Sequence, residues 1–364
     1  PYKSILKETT CESAPYVLKE LGYTAHAIHN HEANFYGRRS VFPNLGFDYF
    51  VSEEYMEEED QKTPLDWVKD SILTDEILKC LDSTEGQDYI YTISVQGHGA
   101  YPTEPILEDP EITVSGSPTQ EKNYQWEYYV NQIHEMDNFI KDLVEELSQY
   151  PEDVVLVMYG DHLPTMDLTV EDLDNRYLFQ TEYVIWDNFG LEKEDENLAA
   201  YQMAAEVMDR IGIHEGTIFR YHQARRNSKN YQVDLETLQY DLLYGEHYAY
   251  DGESPFTRTK MKMGLYDLTL DSVELVSASD YTYYIRGSNF TPSSQVQLNG
   301  EWYDTVYRNP TTLMISGTEL TDFDRLCVAQ RSNSSTAKAL SKSYNRSCYA
   351  LFKESKWKLP TEEE

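Results

Sequence analysis

The chain has 364 residues, enough for one large and one small domain, and its 31 Tyr and 12 Phe supply ample material for packed cores. Its formal net charge is -34, a field that repels nucleic acid, teichoic acid and other polyanions, and no run of eighteen apolar residues offers a membrane span. The charge is uneven: residues 265–364 carry 13 acidic and 10 basic side chains, so residues 1–264 hold nearly all the excess. A site for a phosphate or sulfate ester in that region needs a local cation to reverse the field. Cys11, Cys80, Cys327 and Cys348 show no C-x-x-C spacing, which argues against a zinc cluster or a thioredoxin-like motif. In an exported protein, Cys327 and Cys348 are near enough in sequence to be bridged.

In chain order, Thr10-Cys11-Glu12-Ser13 starts a helix whose first turn tolerates Pro15; Tyr16, Val17, Leu18 and Leu21 form its apolar face and Gly22 stops it. Tyr23–Ile28 reads as a strand. Asp88–Val95 is β-branched, aromatic and nearly uncharged, as a buried parallel strand should be. A long helix follows, with Tyr129, Ile133, Met136, Ile140, Leu143 and Leu147 at helical spacing and Pro151 at its end. Val154–Tyr159 and Glu182–Trp186 are further strands, and Asn197 is expected to cap a helix running through Ile211. This alternation predicts an α/β fold, a mostly parallel sheet flanked by helices with right-handed crossovers, whose chemistry gathers at the carboxyl ends of the strands. Residues 216–264, with Arg225-Arg226 and the Tyr-rich stretch 240–250, close this first domain at about 264.

From residue 265 the pattern changes to short alternating strands at Tyr283–Phe290, Gln295–Gly300 and Leu313–Ser316, with Gly287, Asn299-Gly300 and Asn309-Pro310 as turn signals. This predicts an all-β sandwich over 265–364, and Gly-Ser-Asn-Phe-Thr-Pro followed by Val-Gln-Leu-Asn-Gly resembles TIG-type immunoglobulin-like domains. Thr361–Glu364 reads as a disordered acidic tail.

Two short segments carry chemistry. Asp161-His162 follows the strand Val154–Tyr159 across Gly160, and an oxygen and a nitrogen donor side by side suit a divalent cation such as Mn²⁺, Zn²⁺ or Mg²⁺. His98 lies in Gln96-Gly-His-Gly99 just after the other strong strand, where flanking glycines let the backbone approach a ligand. Asp161, His162 and His98 are expected to converge at the carboxyl edge of one parallel sheet.

Ser94-Val-Gln-Gly-His98-Gly-Ala-Tyr-Pro102 and Val157-Met-Tyr-Gly-Asp161-His162-Leu-Pro resemble two hallmark segments of lipoteichoic acid synthases and related phosphoglycerol transferases, which carry a sulfatase domain of the alkaline phosphatase superfamily. Tyr23-Thr-Ala-His-Ala-Ile-His29 to Phe35-Tyr-Gly-Arg38 is similar to the segment lining that family's glycerophosphate pocket. The resemblance covers about residues 1–250. It implies that Asp161 and His162 ligate a catalytic Mn²⁺ (with Mg²⁺ or Zn²⁺ as alternatives), and that His98, Arg38, His29 and Tyr36 contact substrate. Tyr36 departs from the family's usual Trp. A planar guanidinium at Arg38 suits a phosphate, with Arg39 beside it as the competitor; one of the pair is expected to point to solvent. His26 and His31 read as structural or surface residues, His134 as solvated, and His214, His222 and His247 have no supporting context.

The resemblance further implies a Thr nucleophile and a Glu ligand upstream of Pro1, so that no catalytic nucleophile lies within these residues. Thr9 and Thr10 are too close to His29 for the family spacing. Ser13-Ala-Pro15 opens like the formylglycine motif of sulfatases, but Val17 stands where Arg is required. The implied activity is metal-dependent transfer or hydrolysis of phosphoglycerol-type esters on lipid or cell-wall polymer, at the extracellular face of a membrane reached through an upstream anchor. The other readings are a sulfuric or phosphoric ester hydrolase with another substrate, and a non-catalytic cell-surface binding module.

Overall fold

The computed structural model describes residues 5–57, 62–332 and 339–354; the acidic tail Thr361–Glu364 lies outside them. The first helix, α1 (Ala14–Glu20), is capped by Ser13, whose hydroxyl oxygen accepts from the Tyr16 N–H while its own proton goes to the Leu45 carbonyl. Its apolar face, Ala14, Val17 and Leu18, packs against Ala205, Met208 and Phe219. Next come β1 (Thr24–His29), α2 (Arg38–Val41), β2 (Tyr49–Ser52), α3 (Ile72–Asp82), β3 (Asp88–Ile93), and α4 (Gln120–Gln149), which ends just before Pro151. The chain continues through β4 (Val155–Tyr159), β5 (Tyr183–Asp187), α5 (Met203–Arg210), α6 (Thr217–Arg225), α7 (Tyr231–Leu243) and β6 (Lys262–Met263). The expected cap at Asn197 is displaced: α5 begins at Met203, after a short 3-10 turn at Ala200–Gln202.

Strands β3-β1-β2-β6 form a fully parallel sheet in that order. One face is covered by α3 and α4 through Ile72, Leu73, Ile77, Phe139, Leu143 and Leu147. The other buries Ala25, Ala27, Phe42, Phe47 and Phe50. Being interior, β1 is buried along nearly all its length.

The expectation of one continuous sheet is corrected at β4. That strand pairs antiparallel with β5 in a separate two-stranded ribbon, and β3 ends the parallel sheet as an edge strand. Both β3 and β4 are accordingly half-buried rather than interior. The ribbon is held by α4 instead: Val154, Leu156 and Trp186 share a core with Ile90 of β3 and with Phe139 and Leu143 of the helix. Apolar composition reports a strand's capacity for burial, not which strand lies beside it.

The C-terminal unit comprises β7 (Thr269–Ser277), β8 (Thr282–Ser288), β9 (Ser294–Leu298), β10 (Glu301–Trp302), β11 (Val306–Asn309), β12 (Thr312–Ile315), β13 (Arg325–Arg331), β14 (Ala339–Lys342), β15 (Arg346–Ser347) and α8 (Cys348–Glu354). Two antiparallel sheets, β11-β12-β8-β7 and β10-β9-β13-β14 with β15 on β13, enclose Val273, Ile285, Phe290, Val296, Leu313, Leu326 and Val328, a β-sandwich. The Asn299-Gly300 turn joins β9 to β10 as expected, both residues having positive φ. Gly287 is not a turn residue. It lies within β8 opposite Leu270, where β7 bulges, and a Cβ there would sit 2.2 Å from the Thr269 carbonyl oxygen. Cys327 and Cys348 are not bridged: both are buried free thiols, as Cys80 is, while Cys11 is free and partly buried.

Gly287→Ala should therefore destabilise the protein by about 1–3 kcal/mol, because backbone cannot yield as a side-chain tip can. Urea unfolding followed by near-ultraviolet circular dichroism checks this; a midpoint equal to that of wild type would contradict the close approach.

Candidate anion-binding site

Parallel strands end together, so residues just beyond β1 and β3 share one edge of the sheet. His29, the last residue of β1, donates its Nδ1 proton to the Ile93 carbonyl at the end of β3, 2.8 Å away. That fixes the tautomer and leaves Nε2 to accept from the Arg38 guanidinium at 2.9 Å. Burial first, and then the Arg38 charge, depress the His29 pKa to about 3, so the ring is neutral and can accept. Arg38 reaches this position because the chain turns tightly at Tyr36 and Gly37, both with positive φ, before entering α2. Arg38 as a residue is only 5% exposed, and its guanidinium lies 5.4 Å and 5.5 Å from the ring centres of Phe35 and Tyr36. Arg39 is partly buried and directed at the sandwich, 3.4 Å from the Leu340 carbonyl, rather than at solvent.

An aromatic wall continues from there. His31 meets Phe35 with ring centres 4.4 Å apart and Trp67 at 5.1 Å, and Trp67 reaches His98 at 5.4 Å. The Glu53 carboxylate lies 3.0 Å from His31 Nδ1 and orients that ring. His31 is held structurally, by Glu53, Phe35 and Trp67, and lies next to the cluster that contains His29 and His98. His26 is structural as expected, buried and paired with Asp88 at 2.8 Å. Phe35, Trp67 and Glu53 were not foreseen; Trp67 sits in an aperiodic loop, where only a bulky aromatic among polar neighbours could have drawn notice. His134 is exposed and meets Glu111, His222 is buried against Tyr231, and neither approaches this cluster.

His98 is exposed, but the turn before it is held firmly. The buried Asp70 carboxylate accepts from the Asn30 amide at 2.8 Å and from the Val95 and Gln96 N–H groups at 3.2 and 3.3 Å. Gln96 is locked in turn, accepting from the Asp70 N–H at 2.8 Å and donating to Gln132 at 3.0 Å. One carboxylate therefore ties the loop after β1 to the turn after β3.

The structure brings the Asp161-His162 loop to this site by its later residues. A Cβ on Gly99 would lie 3.4 Å from Thr165 Oγ1, and Met166 packs on Tyr101 and Tyr128. The side chains of Asp161 and His162 are 80% and 65% exposed, and 3.7 Å apart. Among the described residues no group of three or more His, Cys, Asp or Glu is placed to hold a metal ion. Two exposed donors do not make a closed divalent site. The structure thus brings His29, Tyr36, Arg38 and His98 into one cluster and leaves Asp161 and His162 on a neighbouring open loop.

The Sulfatase family model matches residues 1–213, which include every residue of this cluster. The chain belongs to the Sulfatase family. It is 24% identical over 291 residues to a putative cyclic beta-1,2-glucan modification protein of Rhizobium meliloti, covering 68% of this chain and 45% of the relative. It is 25% identical over 158 residues to lipoteichoic acid synthase 1 of Bacillus subtilis, covering 43% of this chain and 24% of that protein. The chain thus spans less than half the length of both curated relatives. Its fold is similar to that of a Streptococcus pyogenes phosphoglycerol transferase solved in complex with sn-glycerol-1-phosphate, with a TM-score of 0.53 at 22% identity over 65% of this chain and 66% of that one.

Burial pushes the Asp70 carboxyl up to about 6 despite its hydrogen bonds. The folded state then holds this proton more tightly than the unfolded chain, so the contribution is fully present below about pH 4 and is lost as pH rises through 6. Asp70→Asn should consequently gain stability relative to wild type as pH is raised from 4 to 7. Urea titrations of both proteins across that range test this, and a pH-independent difference would contradict it.

Proposed function

We propose that this Sulfatase-family chain forms most of the catalytic domain of an extracellular, metal-dependent enzyme that transfers or hydrolyses phosphoglycerol-type phosphate esters. The observation that carries the reading is Arg38: a buried, permanently charged guanidinium, oriented by a neutral imidazole and an aromatic wall, in a chain whose net charge is -34. A fixed fork of N–H donors at a strand-end cleft is suited to two oxygens of a phosphoryl group. His98 offers a second donor from the facing turn. Phe35, Tyr36 and Trp67 offer apolar faces to the carbon skeleton beside the phosphate. Similarity to a lipoteichoic acid synthase, and a fold shared with a phosphoglycerol transferase solved with sn-glycerol-1-phosphate, support this substrate class.

Asp161 and His162 would supply two ligands to Mn²⁺, or to Mg²⁺ or Zn²⁺, which as a Lewis acid lowers the pKa of a bound hydroxyl and polarises phosphorus–oxygen bonds. The remaining ligands and the Thr nucleophile belong, on this reading, to a segment N-terminal to Pro1, as does a membrane anchor; no helix of the described residues is long and apolar enough to cross a membrane. This chain's own residues bind and orient the ester.

Arg38→Ala should weaken sn-glycerol-1-phosphate binding by about 10- to 100-fold, the worth of a charge-assisted hydrogen-bond pair, and Arg38→Lys should restore little of it. Isothermal titration measures both. Equal affinity of wild type and Arg38→Ala would overturn the site, and preference for inorganic sulfate over glycerol phosphate would favour a sulfuric ester.

With only Asp161 and His162 placed for this role among the described residues, the 364-residue chain should bind Mn²⁺ no tighter than micromolar and show no metal-dependent phosphodiesterase turnover. Titration with Mn²⁺ and a turnover assay examine this. Submicromolar affinity or turnover would place the missing ligands and nucleophile within these residues.

A further inference from the structure

One place where the two units meet is the short turn Glu53–Tyr55, which follows β2. Each of its residues has a distinct task. Glu53 orients His31 from 3.0 Å. The Glu54 carboxylate, fully buried, accepts from the Ser52 hydroxyl and from the Ala33 N–H at 3.1 Å, two residues before Phe35. Ser52 is itself the register partner of His29 across β1 and β2. The Glu54 carbonyl points the other way, into the sandwich, where it accepts from Thr291 Oγ1 at 2.7 Å and from the Gln330 amide. Gln330 also donates to Thr291 Oγ1 and is braced by the Ser294 hydroxyl at 2.8 Å. Tyr55 donates to Ser341 Oγ at 2.8 Å.

A second set of contacts runs from the sandwich to the site loop itself. Asn34 donates to Ser332 Oγ at 3.3 Å, and Arg39 to the Leu340 carbonyl at 3.4 Å. Leu340 is buried in the core beneath β1 and β2, beside Ala33 and Phe50. Gly264, at the junction of the two units, permits this approach: a Cβ there would lie 2.3 Å from the Tyr55 ring. The residues that flank Arg38 on both sides are thus fastened to the sandwich, and the turn that orients His31 and Ala33 is clamped by it. A buried carbonyl with two donors supplied by one partner is a fixed joint rather than a lubricated one.

We propose that the C-terminal sandwich is a positioning element of the anion site: Thr291 and Gln330, clamped on the Glu54 carbonyl, hold the loop that presents His31, Phe35, Tyr36 and Arg38. The sandwich does not touch the ester; it sets the loop's geometry through the Glu53–Tyr55 turn. The proposal rests on the reading of Arg38 as the anion-binding residue, and its test separates the two.

Thr291→Val keeps the side chain's shape and removes the hydroxyl, whereas Thr291→Ser keeps the hydroxyl. Hydrogen exchange read by mass spectrometry on the full 364-residue chain should show amides 31–41 exchanging about five- to tenfold faster in Thr291→Val, with β8 and β12 unchanged and Thr291→Ser close to wild type. Affinity for sn-glycerol-1-phosphate should fall by a similar factor in Thr291→Val and be kept in Thr291→Ser. Ser341→Ala, a milder cut at Tyr55, should shift exchange of the same segment in the same direction and serves if Thr291→Val does not fold. Exchange of residues 31–41 unchanged in the folded variants, or accelerated only together with the whole sandwich, overturns the proposal. Accelerated exchange in Thr291→Val, together with a wild-type protein that does not bind glycerol phosphate, supports the joint and overturns the ligand.

Discussion

A guanidinium can share a hydrogen bond with an imidazole only when that imidazole is neutral and shows it a lone pair, and the site depends on this condition. His29 meets it because its other nitrogen is committed to the Ile93 carbonyl and because burial beside Arg38 makes protonation costly. The pairing of β1 with β3 is therefore more than scaffolding. Registering His29 beside Ile93 decides the tautomer, and the tautomer decides where Arg38 can rest. A shift of one residue in that register would turn His29 to the other face of the sheet and leave the guanidinium without its acceptor.

The surrounding acidity is handled by burial. Two carboxyls lie close behind the site, and both are pushed up, Asp70 to about 6 and Glu54 to about 7, chiefly by desolvation. Each is a hydrogen-bond hub: Asp70 joins Asn30 to Val95 and Gln96, and Glu54 joins Ala33 to Ser52. With a pKa of about 7, Glu54 is only partly ionised near neutrality, whereas Asp70 remains mostly a carboxylate there and its charge is met by its Asn30, Val95 and Gln96 donors. Glu53, beside them, is paired with His31.

How far the sequence could be read follows from what kind of signal each feature leaves. The periodic face of α4 and the alternation in β8 and β9 are local patterns, and those elements stand where the patterns put them. Arg38, His29 and His98 stand out in the sequence because their segments resemble a known family, and the fold brings them near one another. Partnership was not legible. Nothing in Val154–Tyr159 says that its neighbour is β5 rather than β3, nothing in Trp67 marks it as a wall for His98, and Gly287 looks like a turn until the Thr269 carbonyl is seen against it. The Glu53–Tyr55 turn is the extreme case. Nothing in its sequence marks its two glutamates for burial, yet both are buried and a backbone carbonyl beside them accepts from the sandwich.

The two halves of the candidate site also differ in how much order they hold by themselves. His29, Arg38 and the wall behind them are held by sheet register and by the Asp70 hub, with Arg39 in contact with the sandwich, so an anion bound there as proposed would meet donors already in place. Asp161 and His162 stand exposed on a loop whose firm contacts begin only at Thr165 and Met166. Preorganised donors add affinity because little ordering remains to be done on binding; exposed donors must be ordered by the ion they hold and by its other ligands. On the proposed reading, ester recognition would draw on groups that this fold already holds in place, whereas a metal centre at Asp161 and His162 would be ordered only by the ion and by further donors converging on it.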